Sequence, residues 1–121
     1  MNARTHVPEP IISGPGVLQA ILAYGSSDPA VVEARDLLKE VHGKDTDYLR
    51  VRALPFSDTV ERFIAAHDVV YVVEQNRDGQ MTNLLREFFP HHSYRFHKVL
   101  HYDSTAITAQ TIVDQINGLE K

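Results

Sequence analysis

The chain reads as an α/β protein, with four strands alternating with four helices in a largely parallel sheet covered on both faces. Three observations predict it. Short apolar runs alternate with amphipathic stretches along most of the chain. The run over residues 69–73 is β-branched around Tyr71, the composition of a strand covered on both faces. The segments between the runs are long enough to cross over as helices, which parallel neighbours require.

Residues 1–16 carry Pro8, Pro10, Pro15, Gly14 and Gly16 without a sustained period, the composition of a linker. Regular structure begins at Val17 and is expected to run to Lys121 as one domain. An apolar run over 17–24 forms the first strand and the turn Gly25-Ser26-Ser27 follows it. Asp28-Pro29 then opens a helix, an N-cap followed by the proline preferred in the first turn. Ala30, Val31, Ala34, Leu37, Leu38 and Val41 recur at steps of three and four and give that helix one apolar face.

Residues 47–54 alternate, with Leu49, Val51 and Ala53 on one side and Arg50 and Arg52 on the other, so they predict a half-exposed strand closed by Pro55. Asp58-Thr59-Val60-Glu61 has capping-box spacing ahead of a short helix carrying Val60, Phe63, Ile64 and His67. After the strand 69–73, a third helix is predicted with Met81, Leu84, Leu85 and Phe88 inward and Pro90 as its stop. Residues 97–102 make a fourth strand, and Thr108 caps a last helix bearing Ile112, Val113 and Ile116, with Gly118 as its exit. The chain contains no internal repeat and no low-complexity tract.

Composition excludes several functions. The chain has 12 basic and 16 acidic residues, evenly spread, so it lacks the basic footprint of a nucleic-acid partner. It has no cysteine, hence no disulfide, thiolate zinc site, iron–sulfur ligation or cysteine nucleophile of its own. Its apolar runs fall short of the roughly 20 residues that span a bilayer, so no membrane association and a cytoplasmic location are expected.

Two loops follow strands and carry chemistry-bearing residues. At Gly25-Ser26-Ser27-Asp28, the hydroxyls of Ser26 and Ser27 and the backbone amides could hold an anion at a helix start, or the segment is a tight turn with a cap. It matches neither the phosphate-loop nor the dinucleotide pattern, which need more glycines. The second loop, with Glu74, Gln75, Asn76, Arg77, Asp78, Gly79 and Gln80, concentrates six polar side chains in seven residues. It is either a solvated loop or a binding or subunit-contact loop.

Among the seven histidines, His91, His92, His97 and His101 cluster in sequence. His97 and His101 would share a metal on a helix, but a strand separates them by roughly 13 Å, so no metal site is expected there. No Ser-His-Asp set can be assigned, and Asp103 reads as structural. No catalytic, cofactor-binding or metal-ligating residue is expected in this chain.

Three blocks carry a resemblance: Tyr24-Gly25-Ser26-Ser27-Asp28-Pro29-Ala30-Val31, then residues 50–56 (RVRALPF), then residues 72–81 (VVEQNRDGQM). In order and spacing they resemble the carboxyl-terminal domain of the α subunit of 2-oxoacid:ferredoxin oxidoreductases. His101-Tyr102-Asp103, Ile107-Thr108-Ala109 and Ile112-Val113 look similar too, so the resemblance spans about residues 17–117, and VPEPIISGPG looks like that family's interdomain linker. The chain departs from the family pattern at Ser104 and Ala106, where glycine and proline are usual.

The resemblance implies the fold of the transketolase carboxyl-terminal domain, a three-layer α/β/α sandwich on a largely parallel mixed sheet of four to five strands, with the fifth strand in the linker near residues 10–13. It also implies a thiamine-diphosphate enzyme that oxidatively decarboxylates a 2-oxoacid to an acyl-coenzyme A and passes electrons to ferredoxin. Thiamine diphosphate, magnesium and an iron–sulfur cluster belong to other parts of such a complex. The implied role is a non-catalytic assembly or regulatory domain, inactive in isolation. Its implied partners are the preceding domains of the α subunit, the β subunit and, through the complex, ferredoxin and coenzyme A. The alternative from another class is a free-standing small-molecule or anion-binding α/β module.

Overall fold

The computed structural model describes residues 10–24, 28–51, 56–74, 80–100 and 108–119. In chain order the elements are β1 (Ile11–Ser13), β2 (Gln19–Tyr24), α1 (Asp28–His42), β3 (Asp47–Val51), α2 (Asp58–Ala65), β4 (Val69–Glu74), α3 (Gln80–Phe88), a 3-10 helix (Pro90–Arg95), β5 (Phe96–Leu100) and α4 (Ala109–Leu119). The sheet has five strands in the order β1-β3-β2-β4-β5, with β1 antiparallel to β3 and the other pairs parallel. The fifth strand expected near residues 10–13 is therefore present, at the edge beside β3.

Alternation along the central strands divides the core. Ile21, Ala23, Tyr71, Val73 and Val99 face α1 and α4, while Ala20, Leu22, Val70, Val72 and Phe96 face α2 and α3. Both faces of β2 and β4 are thus removed from water, which is why their sequences are continuously apolar rather than alternating. Each such valine or leucine contributes roughly 1.5–3 kcal/mol by burial. α1 leaves the sheet through Gly43, whose φ of +66° places it in the left-handed region. There Gly43 N–H donates to Lys39 O at 3.1 Å, the single bond of an αL helix end, and Lys44 N–H reaches back to Leu38 O at 2.9 Å.

Several local expectations shift. Val41 is 67% exposed, so the buried stripe of α1 ends at Leu38. The cap of α2 is Ser57, whose carbonyl accepts from Val60 N–H, and Asp58 belongs to the first turn instead. Gly118 lies inside α4 and does not end it. Thr108 does cap α4, its Oγ1 accepting from Thr111 N–H at 3.2 Å.

The largest shift is in α3. Its inward face is Thr82, Leu85 and then Phe89, whereas Phe88 is 52% exposed and meets Phe56 edge to face at 5.3 Å. The cause is Glu74. This buried carboxylate accepts hydrogen bonds from Met81 N–H, Thr82 N–H and Thr82 Oγ1, which turns the polar Thr82 into the interior and rotates the helix accordingly.

One edge of the sheet is closed by a side chain. Gln115 of α4 receives Leu100 N–H on Oε1 at 3.0 Å and donates Nε2–H to Leu100 O at 2.7 Å, which ends the ladder of the edge strand β5.

Candidate functional site

The parallel strands run in the order β3-β2-β4-β5, so the chain first moves outward from β2 to β3 and then crosses back to β4 on the other side. The strand order reverses between β2 and β4, which are neighbours with Ala23 opposite Val73. The helices that follow these two strands lie on opposite faces, α1 with one core cluster and α3 with the other. A crevice at the carboxyl ends of such a pair is where ligands and partners gather in doubly covered sheets. Both loops singled out by composition leave from this point, one after Tyr24 and one after Glu74.

Of the candidate residues, Ser26, Ser27, Asn76, Arg77, Asp78 and Gly79 lie outside the described residues, as do His101, Asp103, Ser104 and Ala106. Their anchors are described. Gln80 begins α3 and is exposed. Glu74 is only 4% exposed and is turned inward, so it does not present its carboxylate to a partner as an interface loop requires. It instead fixes the far end of the loop, because it binds the first amide groups of α3 from the end of β4. A carboxylate at a helix amino terminus is favoured both by those unpaired donors and by the helix dipole.

On the other side of the crevice, Asp28 stands in the first turn of α1. Tyr48 Oη donates to Asp28 Oδ1 at 2.6 Å, and Arg50 Nη1 lies 3.7 Å from Oδ2. Burial, followed by the hydrogen bond and charge of Asp28, pushes the Tyr48 phenol far above its usual range, so it remains a neutral donor. The Arg35 guanidinium covers the Tyr48 ring at 5.7 Å. The protein's own carboxylate thus answers the positive end of α1. Arg50, with 41% of its side chain exposed, and Tyr24, 43% exposed, are what this rim offers to the outside.

The described part of this rim does not match the donor set of thiamine diphosphate or its magnesium. The two described carboxylates at the rim are committed, Asp28 to Tyr48 and Arg50 and Glu74 to α3, and the chain has no cysteine to carry a cluster. Nor is there a nucleophile with its base at this edge among the described residues. Among the described residues, the arrangement suits a polar contact surface that exposes the Arg50 cation and the Tyr24 ring.

A second opening, of about 460 Å³, lies at the opposite end of the strands and is lined by Gln19, Lys44, Val69, Tyr71, His97 and Leu119. His97 faces this cleft from β5, its ring 5.9 Å from that of Tyr71. Two polar groupings escaped the sequence reading because their members are far apart in the chain: Asp47 with His67, and Glu61 with His91 and His92. The apolar spacing of His67 after Val60, Phe63 and Ile64 was the single local signal, and the buried His67 lies just beyond the end of α2.

No protein-family model matches the chain and no curated protein sequence is significantly similar to it. Its fold is shared with solved structures. Over 98% of its length it superposes on 2-oxoglutarate:ferredoxin oxidoreductase from Magnetococcus marinus, solved with 2-oxoglutarate, coenzyme A and succinyl-CoA bound, with a TM-score of 0.77 and 20% identity. The chain spans 21% of that protein. It also superposes on the alpha chain of a probable 2-oxoacid ferredoxin oxidoreductase from Thermoplasma acidophilum, with a TM-score of 0.58 and 18% identity over 92% of this chain and 96% of that one. At these identities the likeness is one of fold. No helix among the described residues is long and apolar enough to cross a membrane.

Proposed function

We propose that this chain is the carboxyl-terminal, non-catalytic assembly or regulatory domain of the α subunit of a thiamine-diphosphate-dependent 2-oxoacid:ferredoxin oxidoreductase. The observation that supports it best is the superposition over 98% of the chain on an oxidoreductase of this kind. The sequence blocks at residues 24–31, 50–56 and 72–81 add to it, since each ends or begins at the β2–β4 switch point or on β3 beside it. In this reading the rim formed by Tyr24, Asp28 and Arg50, with the loop anchored by Glu74, meets neighbouring domains or the β subunit. Chemistry, thiamine diphosphate, magnesium and the iron–sulfur cluster reside elsewhere in the complex, and ferredoxin and coenzyme A act through that complex. The proposed location is the cytoplasm.

The test is purification of the protein at its natural level from its source, followed by assay of 2-oxoacid- and coenzyme A-dependent reduction of methyl viologen. Activity in the co-purified complex, with none in the isolated chain, is the expected result. Turnover by the isolated chain, or micromolar binding of thiamine diphosphate and magnesium to it in calorimetry, overturns the non-catalytic role. Recovery of the chain with no oxidoreductase subunit and no activity overturns the membership itself and favours the free-standing binding module.

A further inference from the structure

Glu61 and the pair His91-His92 are thirty residues apart in sequence and adjacent in space. Glu61 projects from α2, and the histidines occupy consecutive positions of the 3-10 helix that leads into β5. One donor atom from each of the three side chains lies within 4.8 Å of the other two. His91 Nε2 is 3.5 Å from Glu61 Oε2, and the two imidazole rings are 4.1 Å apart, centroid to centroid. Ligands on a tetrahedral ion at zinc bond lengths stand about 3.4 Å from one another, so these donors need to close by about 1.4 Å at most. The side chains of Glu61 and His91 are 43% and 64% exposed and can rotate that far.

We infer that Glu61, His91 and His92 form a binding site for a first-row divalent cation of the zinc class. Two imidazole nitrogens and one carboxylate oxygen suit zinc, cobalt or nickel and do not suit magnesium or calcium, which take oxygen ligands. Three protein ligands leave at least one position open to water or to a group from outside the chain. Arg95 Nε donates to His92 Nδ1 at 3.1 Å, and whichever ring nitrogen takes the ion, that bond is given up. Affinity is therefore modest, in the micromolar range. A bound ion would tie α2 to the 3-10 helix, away from the β2–β4 rim, so this site stands or falls independently of the proposed function.

The test is calorimetric titration of the untagged, chelator-treated chain with zinc chloride, with cobalt chloride followed by visible absorption as a second probe. One ion per chain is expected, with binding weakened at least about tenfold in Glu61→Gln and in His91→Gln and unchanged in His42→Gln, which alters an exposed histidine elsewhere. Both test residues are surface-exposed, so circular dichroism should show native spectra for the variants. No saturable binding, or binding that Glu61→Gln and His91→Gln leave unchanged, overturns the site.

Discussion

His67 Nε2 lies 2.7 Å from Asp47 Oδ2, and both side chains are almost wholly removed from water. The other ring nitrogen, Nδ1, faces the Phe63 carbonyl at 2.6 Å, so each ring nitrogen has an acceptor in front of it. Asp47 in turn accepts Gly16 N–H at 2.8 Å and Val17 N–H at 3.1 Å. This one carboxylate joins the entering segment, the start of β3 and the end of α2, and Arg95 Nη1 adds the approach to β5 by donating to His67 O.

Replacement of Asp47 by asparagine is expected to cost about 3 kcal/mol, because removing one member of a buried, hydrogen-bonded pair leaves the other uncompensated. Acid should expose the same group. Burial is the largest single influence on Asp47 and raises its pKa, but the hydrogen bond and charge of His67 with the two amides outweigh it and hold the carboxyl below 3.8. A depressed carboxyl contributes stability above the unfolded value of 3.8 and loses it as pH falls through the lower folded value. Urea melts between neutral pH and pH ~2 should therefore show a steeper acid loss for the native chain than for Asp47→Asn. Parallel profiles would show that Asp47 is not a source of acid sensitivity.

Glu74→Ala should destabilise the isolated chain by about 1–3 kcal/mol, because it strips three hydrogen bonds from the start of α3 and leaves Thr82 buried without its partner. Thr82→Val, which removes only the hydroxyl, should cost about 1 kcal/mol. Chemical denaturation of the two variants checks the order. Equal stability of Glu74→Ala and the native chain would return Glu74 to the role of a free interface residue.

Gly14→Ala should loosen β1. Gly14 has φ of +132°, and an added Cβ would approach the Asp47 Cα to 2.6 Å, so both conformation and space oppose it. A loss of about 2 kcal/mol is expected, with amide exchange of Ile12 and Ser13 accelerating before that of β4. Uniform acceleration across the sheet would mean that β1 unfolds only with the core.

Val72→Asp should prevent folding, since Val72 is fully buried in the central β4 and no partner awaits a carboxylate there. Glu33→Gln, on the exposed side of α1, should stay within about 0.5 kcal/mol of the native chain. Thermal melts of the pair check this, and a reversed order would contradict the placement of both elements.

The sequence by itself determined the layers. The unbroken apolar runs of β2 and β4 require cover on both sides, and the stripe Val31, Ala34 and Leu38 requires a sheet to lie against, because period and burial are properties of neighbouring residues. Thr108 as a cap was legible for the same reason, since its partner Thr111 is three residues away. Tertiary structure alone decided which strands are neighbours, and with that the adjacency of the carboxyl ends of β2 and β4, after which the two polar segments follow. It also decided the inward turn of Glu74, which a polar run beside a strand end conceals, and the rotation of α3 onto Thr82, Leu85 and Phe89. Asp47 with His67, and Glu61 with His91 and His92, are contacts between elements twenty and thirty residues apart. A polar side chain carries no mark in the sequence of the distant group that will satisfy it, so these groupings exist only once the sheet has brought their elements together.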